Sequence, residues 1–110
     1  MLDQDLQVID RMLLIRNTPV DLKHDVADAV LFDETIIYLL IGAGNRNIGA
    51  ITMDGKHLWK IQEVESGLEH KSFKRIWIDD MHRVLTYNYL GITYIIDADN
   101  GRITPHKYYK

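Results

Sequence analysis

The sequence lacks cysteine altogether and contains two serines and two prolines. Without cysteine the chain can form no disulfide, no thiolate zinc site and no cysteine nucleophile. Both serines, Ser66 and Ser72, lie in one predicted loop, so their spacing does not support a Ser–His–acid triad. The longest apolar run, Ile36–Ala43, is far shorter than the ~20 residues that a membrane span needs. The first residues show no basic segment followed by an apolar one, so we expect a cytoplasmic protein without a secretory signal.

Charge is distributed unevenly along the 110 residues, although the net charge is only −3. Residues 1–34 carry eight acidic and three basic side chains, whereas residues 35–110 carry eight acidic and ten basic ones. A nucleic-acid-binding domain usually shows a basic patch instead. An acidic half attracts a basic partner and speeds its encounter, and the alternative is a solvated face without a partner.

A weak repeat of 46 residues organises most of the chain. Displacing the sequence by 46 positions places Leu22 on Leu68, and it places Asp33 on Asp79. Each unit shows the pattern of four β-strands, with hairpin signals such as Asp54-Gly55 between them. A four-stranded unit of this length is typical of a β-propeller blade. Two units are too few to close a propeller.

The sequence therefore predicts an all-β fold with two blade-like, four-stranded antiparallel units and an N-terminal strand, nine strands in all. These form an open sheet or a sandwich rather than a closed propeller. We expect a single domain over 1–110, with an N-terminal strand and connection over 1–27, a first unit over 28–73 and a second over 74–110. One core is predicted from both units, and its proposed members include Trp59, Ile61, Ile76, Ile78, Val84 and Ile95.

Three local features refine this prediction. Leu2, Leu6, Ile9 and Leu13 have helical spacing, whereas the repeat favours a strand over Val8–Ile15. Pro105 lies in the last predicted strand, and because proline cannot donate to a ladder that strand should be an edge. In the second unit Tyr87 and Tyr89 alternate to one face, and we predict Tyr94 as their cross-strand neighbour. These tyrosines belong either to the core or to an exposed binding surface.

The remaining candidate metal-binding and cofactor-binding segments are better explained as turns and loops. None of the five histidines is paired at a metal-ligand spacing. The segment Asp97–Gly101 begins like a calcium loop but has its glycine at position 5 instead of 6, which fits a hairpin turn. Gly42-Ala43-Gly44 lacks the third glycine and the helix of a dinucleotide-binding loop. We therefore expect no metal and no cofactor.

A family resemblance rests on the segment near the C-terminus. An apolar strand there is followed by the pattern Gly91, Tyr94, Asp97, Gly101, Arg102, Ile103, close to a terminal lysine. Over about residues 28–110 the chain resembles the small immunity proteins of bacterial contact-dependent growth inhibition and related polymorphic-toxin systems. The resemblance implies a stoichiometric binder rather than an enzyme, which covers the active site of a cognate toxin, often a nuclease. The alternative is a self-assembling or partial β-propeller module.

The repeat also predicts where a partner would bind. If the two units stack, their connections Arg16–Asp28 and Gln62–Phe73 lie on one rim. We expect a basic toxin domain to dock there, without direct contact to nucleic acid or membrane, and we favour a monomer. The proposed partner-binding residues are Asp21, Asp25, Asp28, Glu63, Glu65 and Glu69, bordered by Asp79, Asp80, Tyr87 and Tyr89.

Overall fold

The computed structural model describes residues 5–63, 72–89 and 91–106. Within them eleven strands form three antiparallel sheets, in each of which the strands follow chain order. The N-terminal sheet contains β1 (Leu6–Ile9), β2 (Met12–Ile15) and β3 (Thr18–Val20). The middle sheet contains β4 (Asp25–Phe32), β5 (Thr35–Ile41), β6 (Ile48–Thr52) and β7 (His57–Lys60). The C-terminal sheet contains β8 (Phe73–Ile78), β9 (Val84–Asn88), β10 (Thr93–Ile96) and β11 (Ile103–Pro105).

The predicted all-β class is confirmed. The described residues contain no α-helix, and none of the three sheets closes on itself. Pro105 lies in β11, which is an edge strand as predicted. Across the described ranges, no helix has the length and apolar character required to cross a bilayer.

The N-terminal region differs from the prediction, because three strands replace the single strand over Val8–Ile15. Asp10 and Arg11 both have positive φ and form a two-residue turn that pairs Ile9 with Met12. Positive φ at both central residues is the geometry that connects two antiparallel strands tightly. Arg16 and Asn17 repeat the same device between β2 and β3. Arginine is an uncommon residue in such turns, so no strong hairpin signal is present in this part of the sequence.

The predicted connection over Arg16–Asp28 is also wrong in part. It contains β3, and β4 begins at Asp25, three residues before the predicted start of the first unit at residue 28. Asp25 and Asp28 therefore belong to an edge strand of the middle sheet, and the register of that strand shifts between Val26 and Asp28.

The middle sheet separates two cores instead of the predicted one. Side chains alternate between the two faces of a strand, so in β5 Ile37 and Leu39 face one side while Ile36 and Leu40 face the other. The first face packs on the C-terminal sheet and the second on the N-terminal sheet. This explains why β5 is a nearly continuous apolar run, since both its faces are covered. The molecule is thus three layers deep.

The predicted core members divide accordingly. Trp59, Ile61, Ile76 and Val84 are buried between the middle and C-terminal sheets, and Ile78 packs against them. Ile95 was misassigned, because it pairs with Leu85 on the outer face of the C-terminal sheet.

Tyr94 is likewise on the opposite face from the one predicted. It is paired with Thr86 instead of Tyr87, and its ring meets the edge of Phe73 in the core at 6.3 Å between centroids. The strand neighbour of Tyr87 is Thr93.

Side-chain hydrogen bonds hold the C-terminal sheet on the middle sheet. The buried amide of Asn47 donates to the carbonyl of Phe73 at 2.8 Å and accepts from its N–H at 2.8 Å. Trp59 Nε1 donates to the carbonyl of Ala98 at 2.8 Å. Gly101 lies against the Trp59 ring, where a Cβ would overlap the indole. Each of these contacts joins the middle sheet or its β5–β6 loop to the C-terminal sheet or its β10–β11 turn.

We predict that Ile76→Ala lowers the free energy of unfolding by about 2–5 kcal/mol, the usual range for such a change in a core. Ile76 is 2% exposed between the sheets. The matched change is Ile95→Ala, in the same sheet but on its partly exposed outer face, and it should cost less than half as much. Urea unfolding of both variants measures the difference. Equal losses would contradict the assignment of the two faces.

Candidate functional site

The acidic excess lies in the N-terminal sheet and β4. The described residues 5–34 carry seven acidic and three basic side chains. Residues 35–63 carry two acidic and three basic ones, and residues 72–106 carry four of each. Because 5–34 form the N-terminal sheet and an edge strand of the middle sheet, the charge asymmetry of the sequence becomes an asymmetry between layers.

An acidic groove of about 430 Å³ lies between the β1–β2 turn, β3 and the start of β4. We call it the N-terminal groove. Three carboxylates, two cations and several apolar side chains line it, among them the half-exposed Met12. Its charged residues are Asp10, Arg11, Asp21, Lys23 and Asp25.

Backbone contacts set the shape of this groove. The N–H of Val26 donates to the carbonyl of Arg11 at 2.9 Å, which fixes the β1–β2 turn on β4. Asp21 Oδ1 accepts from the N–H of Lys23 at 2.9 Å, a local bond that supports a turn. Arg11 Nη1 also approaches Asp25 Oδ2 at 3.4 Å, but both side chains are mostly exposed, so this ion pair contributes little.

The structure places only part of the predicted rim together. Asp21 and Asp25 share the N-terminal groove, and Asp28 is exposed further along β4 with its Oδ1 bound to the N–H of Ala29. Glu63 is exposed after β7. Glu65 and Glu69 lie outside the described residues. Asp10 was absent from the proposed partner-binding residues because it was assigned to a strand. The polar pair Asp10-Arg11 interrupts an apolar segment, and this interruption could have indicated the turn.

Asp79 organises the β8–β9 turn rather than a partner surface. Its Oδ1 accepts from the backbone N–H groups of Met81 at 3.1 Å and Arg83 at 2.8 Å. Its Oδ2 accepts from Arg83 Nε at 2.9 Å and Nη2 at 2.7 Å. With both oxygens engaged inside its own turn, Asp79 is a structural residue, while Asp80 beside it is exposed.

The β8–β9 turn lies at the opposite end of β4 from the N-terminal groove. His82 in that turn approaches Asp33 in the β4–β5 turn, with 3.0 Å between Nε2 and Oδ1, and its ring stacks on Phe32 at 4.3 Å. Asp25 begins β4 and Phe32 ends it. Asp79 and Asp80 therefore do not border the groove, contrary to the expectation from sequence.

Tyr87 and Tyr89 lie on the C-terminal sheet, among cations rather than carboxylates. The Tyr87 ring meets Trp77 at 6.0 Å, and Lys74 Nζ is 4.9 Å from the ring centre of Tyr89. Arg75 lies 5.2 Å from the Trp77 ring. Tyr89 is 61% exposed. With Lys74 it lines a pocket that also includes Ala27 of β4, so this aromatic–cationic surface adjoins the strand that carries Asp25 and Asp28.

The segment Asp97–Gly101 forms a hairpin turn. The N–H of Gly101 donates to the Asp97 carbonyl at 2.8 Å, and Asp97 Oδ1 accepts from the N–H of Asp99 at 2.9 Å. Over 5–63, 72–89 and 91–106, no group of three or more His, Asp or Glu side chains is arranged to hold a metal ion.

The family described as Domain of unknown function (DUF7957) matches residues 4–108. The chain belongs to this family. No curated protein and no solved structure matches it. Because the match spans all three sheets, the N-terminal sheet and its groove are part of the family domain, not an addition to a two-unit repeat.

We predict that Asp79→Asn removes part of the stability of the protein in a pH-dependent way. Hydrogen bonds from the Arg83 side chain are the main cause that holds the pKa of Asp79 below its ordinary value of 3.8. A carboxyl whose pKa is lower in the folded state stabilises the fold above its unfolded pKa, and this contribution is lost as the pH falls through the folded pKa. Wild type should therefore exceed Asp79→Asn in stability at neutral pH, with the difference shrinking below about pH 4.

Thermal unfolding between neutral and acidic pH measures this difference, and Asp80→Asn is the matched control. Asp80 adjoins Asp79 but is exposed, so its variant should follow the wild-type profile. A constant difference between wild type and Asp79→Asn at all pH values would show that the charge of Asp79 does not stabilise the turn.

Proposed function

We propose that this chain is a cytoplasmic immunity protein, which neutralises a cognate toxin by binding over the toxin's active site. The proposed partner is a basic toxin domain, and a nuclease is the class that we propose. The N-terminal groove carries the proposal, because its lining combines three carboxylates with apolar side chains that include the half-exposed Met12. Stable protein interfaces likewise combine apolar residues with polar ones.

Charge supports the choice of partner. Clefts that bind nucleic acid are lined by Lys and Arg because they neutralise phosphates. Carboxylates on an inhibitor can occupy the same positions as the phosphates and so compete with substrate. Arg11 and Lys23 offset part of the negative charge of the groove, so its field is moderate. We therefore expect charge to act mainly on the association rate.

The motif that carries the family resemblance has a structural role here. Asp97 and Gly101 shape the β10–β11 turn, and Gly101 fits against Trp59 of the middle sheet. These residues maintain the domain that presents the groove. The residues that contact the toxin are proposed from the groove instead.

The decisive experiment pairs this chain with the product of the adjacent gene, since immunity and toxin genes are neighbours. We predict that the triple variant Asp10→Asn, Asp21→Asn, Asp25→Asn associates about tenfold more slowly at low salt. The loss should shrink near 0.15 M salt, where the Debye length falls to about 8 Å. Asparagine at position 21 keeps the acceptor for the Lys23 N–H. Stopped-flow association and rescue of growth are the readouts.

The matched control removes three exposed acids outside the groove, with the changes Glu34→Asn, Asp80→Asn and Asp99→Asn. It changes the net charge equally, so it should leave association close to wild type. Equal slowing in both triple variants would show that only net charge matters. Failure of wild type to bind the neighbouring product or to rescue growth would contradict the proposed function.

A second candidate is a module that assembles with copies of itself. It is favoured by the outer face of the C-terminal sheet, where Trp77, Tyr87 and Ile95 are only partly buried at one end of the stacked layers. A further sheet could stack on that face as the middle sheet does on the inner one. Gel filtration separates the two candidates, because we expect a monomer for the immunity protein, whereas a trimer or tetramer indicates self-assembly.

A further inference from the structure

A second pocket, of about 220 Å³, lies against the β3–β4 loop. It shares Leu22, Lys23 and His24 with the N-terminal groove, and its other lining residues are different. It is bounded by that loop, the β5–β6 loop and β7. Its charged or titratable cationic groups are Lys23, His24, Arg46 and Lys60, and no acidic residue of the described chain lines it. We call it the cationic pocket.

The buried phenol of Tyr38 reaches this pocket. Tyr38 in β5 is opposite Gly49 in β6, and Gly49 is opposite Lys60 in β7. The Tyr38 hydroxyl lies over Gly49 so closely that a methyl group there would overlap it. The ring therefore extends across the sheet toward the strand of Lys60. Glycine at position 49 provides the room for this arrangement.

Tyr38 as a whole is only 5% exposed. Among the described residues its hydroxyl is not one of the fully buried side-chain atoms that lack a hydrogen-bond partner, and Tyr38 lines the pocket. Burial also raises the pKa of Tyr38 above its ordinary value of 10.0, so the hydroxyl keeps its proton at neutral pH. The pocket thus offers a neutral donor as well as cations.

The cations come from three separate elements. Lys23 follows β3, Arg46 lies in the β5–β6 loop and Lys60 ends β7. Arg46 is anchored by its Nε, which donates to the carbonyl of Ile61 at 2.8 Å. Like charges brought together by the fold repel one another, and an anion between them would relieve that repulsion.

We propose that the cationic pocket binds a small oxyanion, either a carboxylate with a short apolar chain or a phosphate. Tyr38 would donate a hydrogen bond, Arg46 and Lys60 would supply charge, and Leu40 and Ala43 would contact the apolar part. The volume equals that of about seven waters in the liquid. It is smaller than the roughly 300–1,000 Å³ typical of sites for drug-sized ligands, so a small anion fits it better than a nucleotide does. This inference does not depend on the proposed toxin partner.

Titration with butyrate and with inorganic phosphate, at ionic strength held constant with sodium chloride, tests the proposal. Amide NMR spectra should show saturable shifts for at least one probe, centred on residues 22–24, 38–49 and 60. The probe that saturates distinguishes a carboxylate site from a phosphate site. Tyr38→Phe and Lys60→Met should each weaken its binding about tenfold or more, because each removes a hydrogen bond to a charged group.

The matched control is Lys56→Met, since Lys56 is exposed in the β6–β7 turn and does not line the pocket. It should bind the probe as wild type does. The proposal is overturned if neither probe saturates, or if Lys56→Met weakens binding as much as Lys60→Met. Wild-type-like spectra of the free variants establish that they are folded, so loss of binding cannot come from unfolding.

Discussion

Burial of both faces of β5 is the constraint on which the other layers depend. A strand covered on one side only would alternate apolar and polar residues, but here Ile36 and Ile37 are both fully buried. Each face of the middle sheet therefore needs its own cover. The C-terminal sheet covers one face and the N-terminal sheet the other. The surfaces available for binding are therefore the outer faces, edges and loops of these sheets.

The sequence predicted the features that follow from local chemistry. The hairpin at Asp54-Gly55 and the edge position of Pro105 depend on residues whose backbone preferences are strong, and the repeat located the two four-stranded sheets. The N-terminal sheet was missed because its turns use Arg11 and Arg16 in a left-handed conformation. Packing of the N-terminal sheet against the middle sheet stabilises this conformation, and that packing cannot be read from the local sequence.

Register explains the other errors. A displacement of one residue exchanges the two faces of a strand, and the sequence does not fix how many residues the turn before β10 consumes. Tyr94 and Ile95 were consequently assigned to each other's faces. The candidate sites were missed for a different reason. The carboxylates of the N-terminal groove are distant from one another along the chain, and so are the cations around Tyr38. Tertiary packing alone brings Asp10 and Asp25 into one groove, and Arg46 and Lys60 into one pocket.

The two tryptophans lie on opposite sides of the C-terminal sheet and so give the protein two separate optical reporters. Trp59 is buried between the middle and C-terminal sheets and bound to Ala98, whereas Trp77 is partly exposed on the outer face beside Tyr87. Fluorescence from the first depends on whether the two sheets stay in contact. Fluorescence from the second depends on what touches the outer face. Single-tryptophan variants can therefore follow separation of the layers and occupation of the surface independently in one molecule.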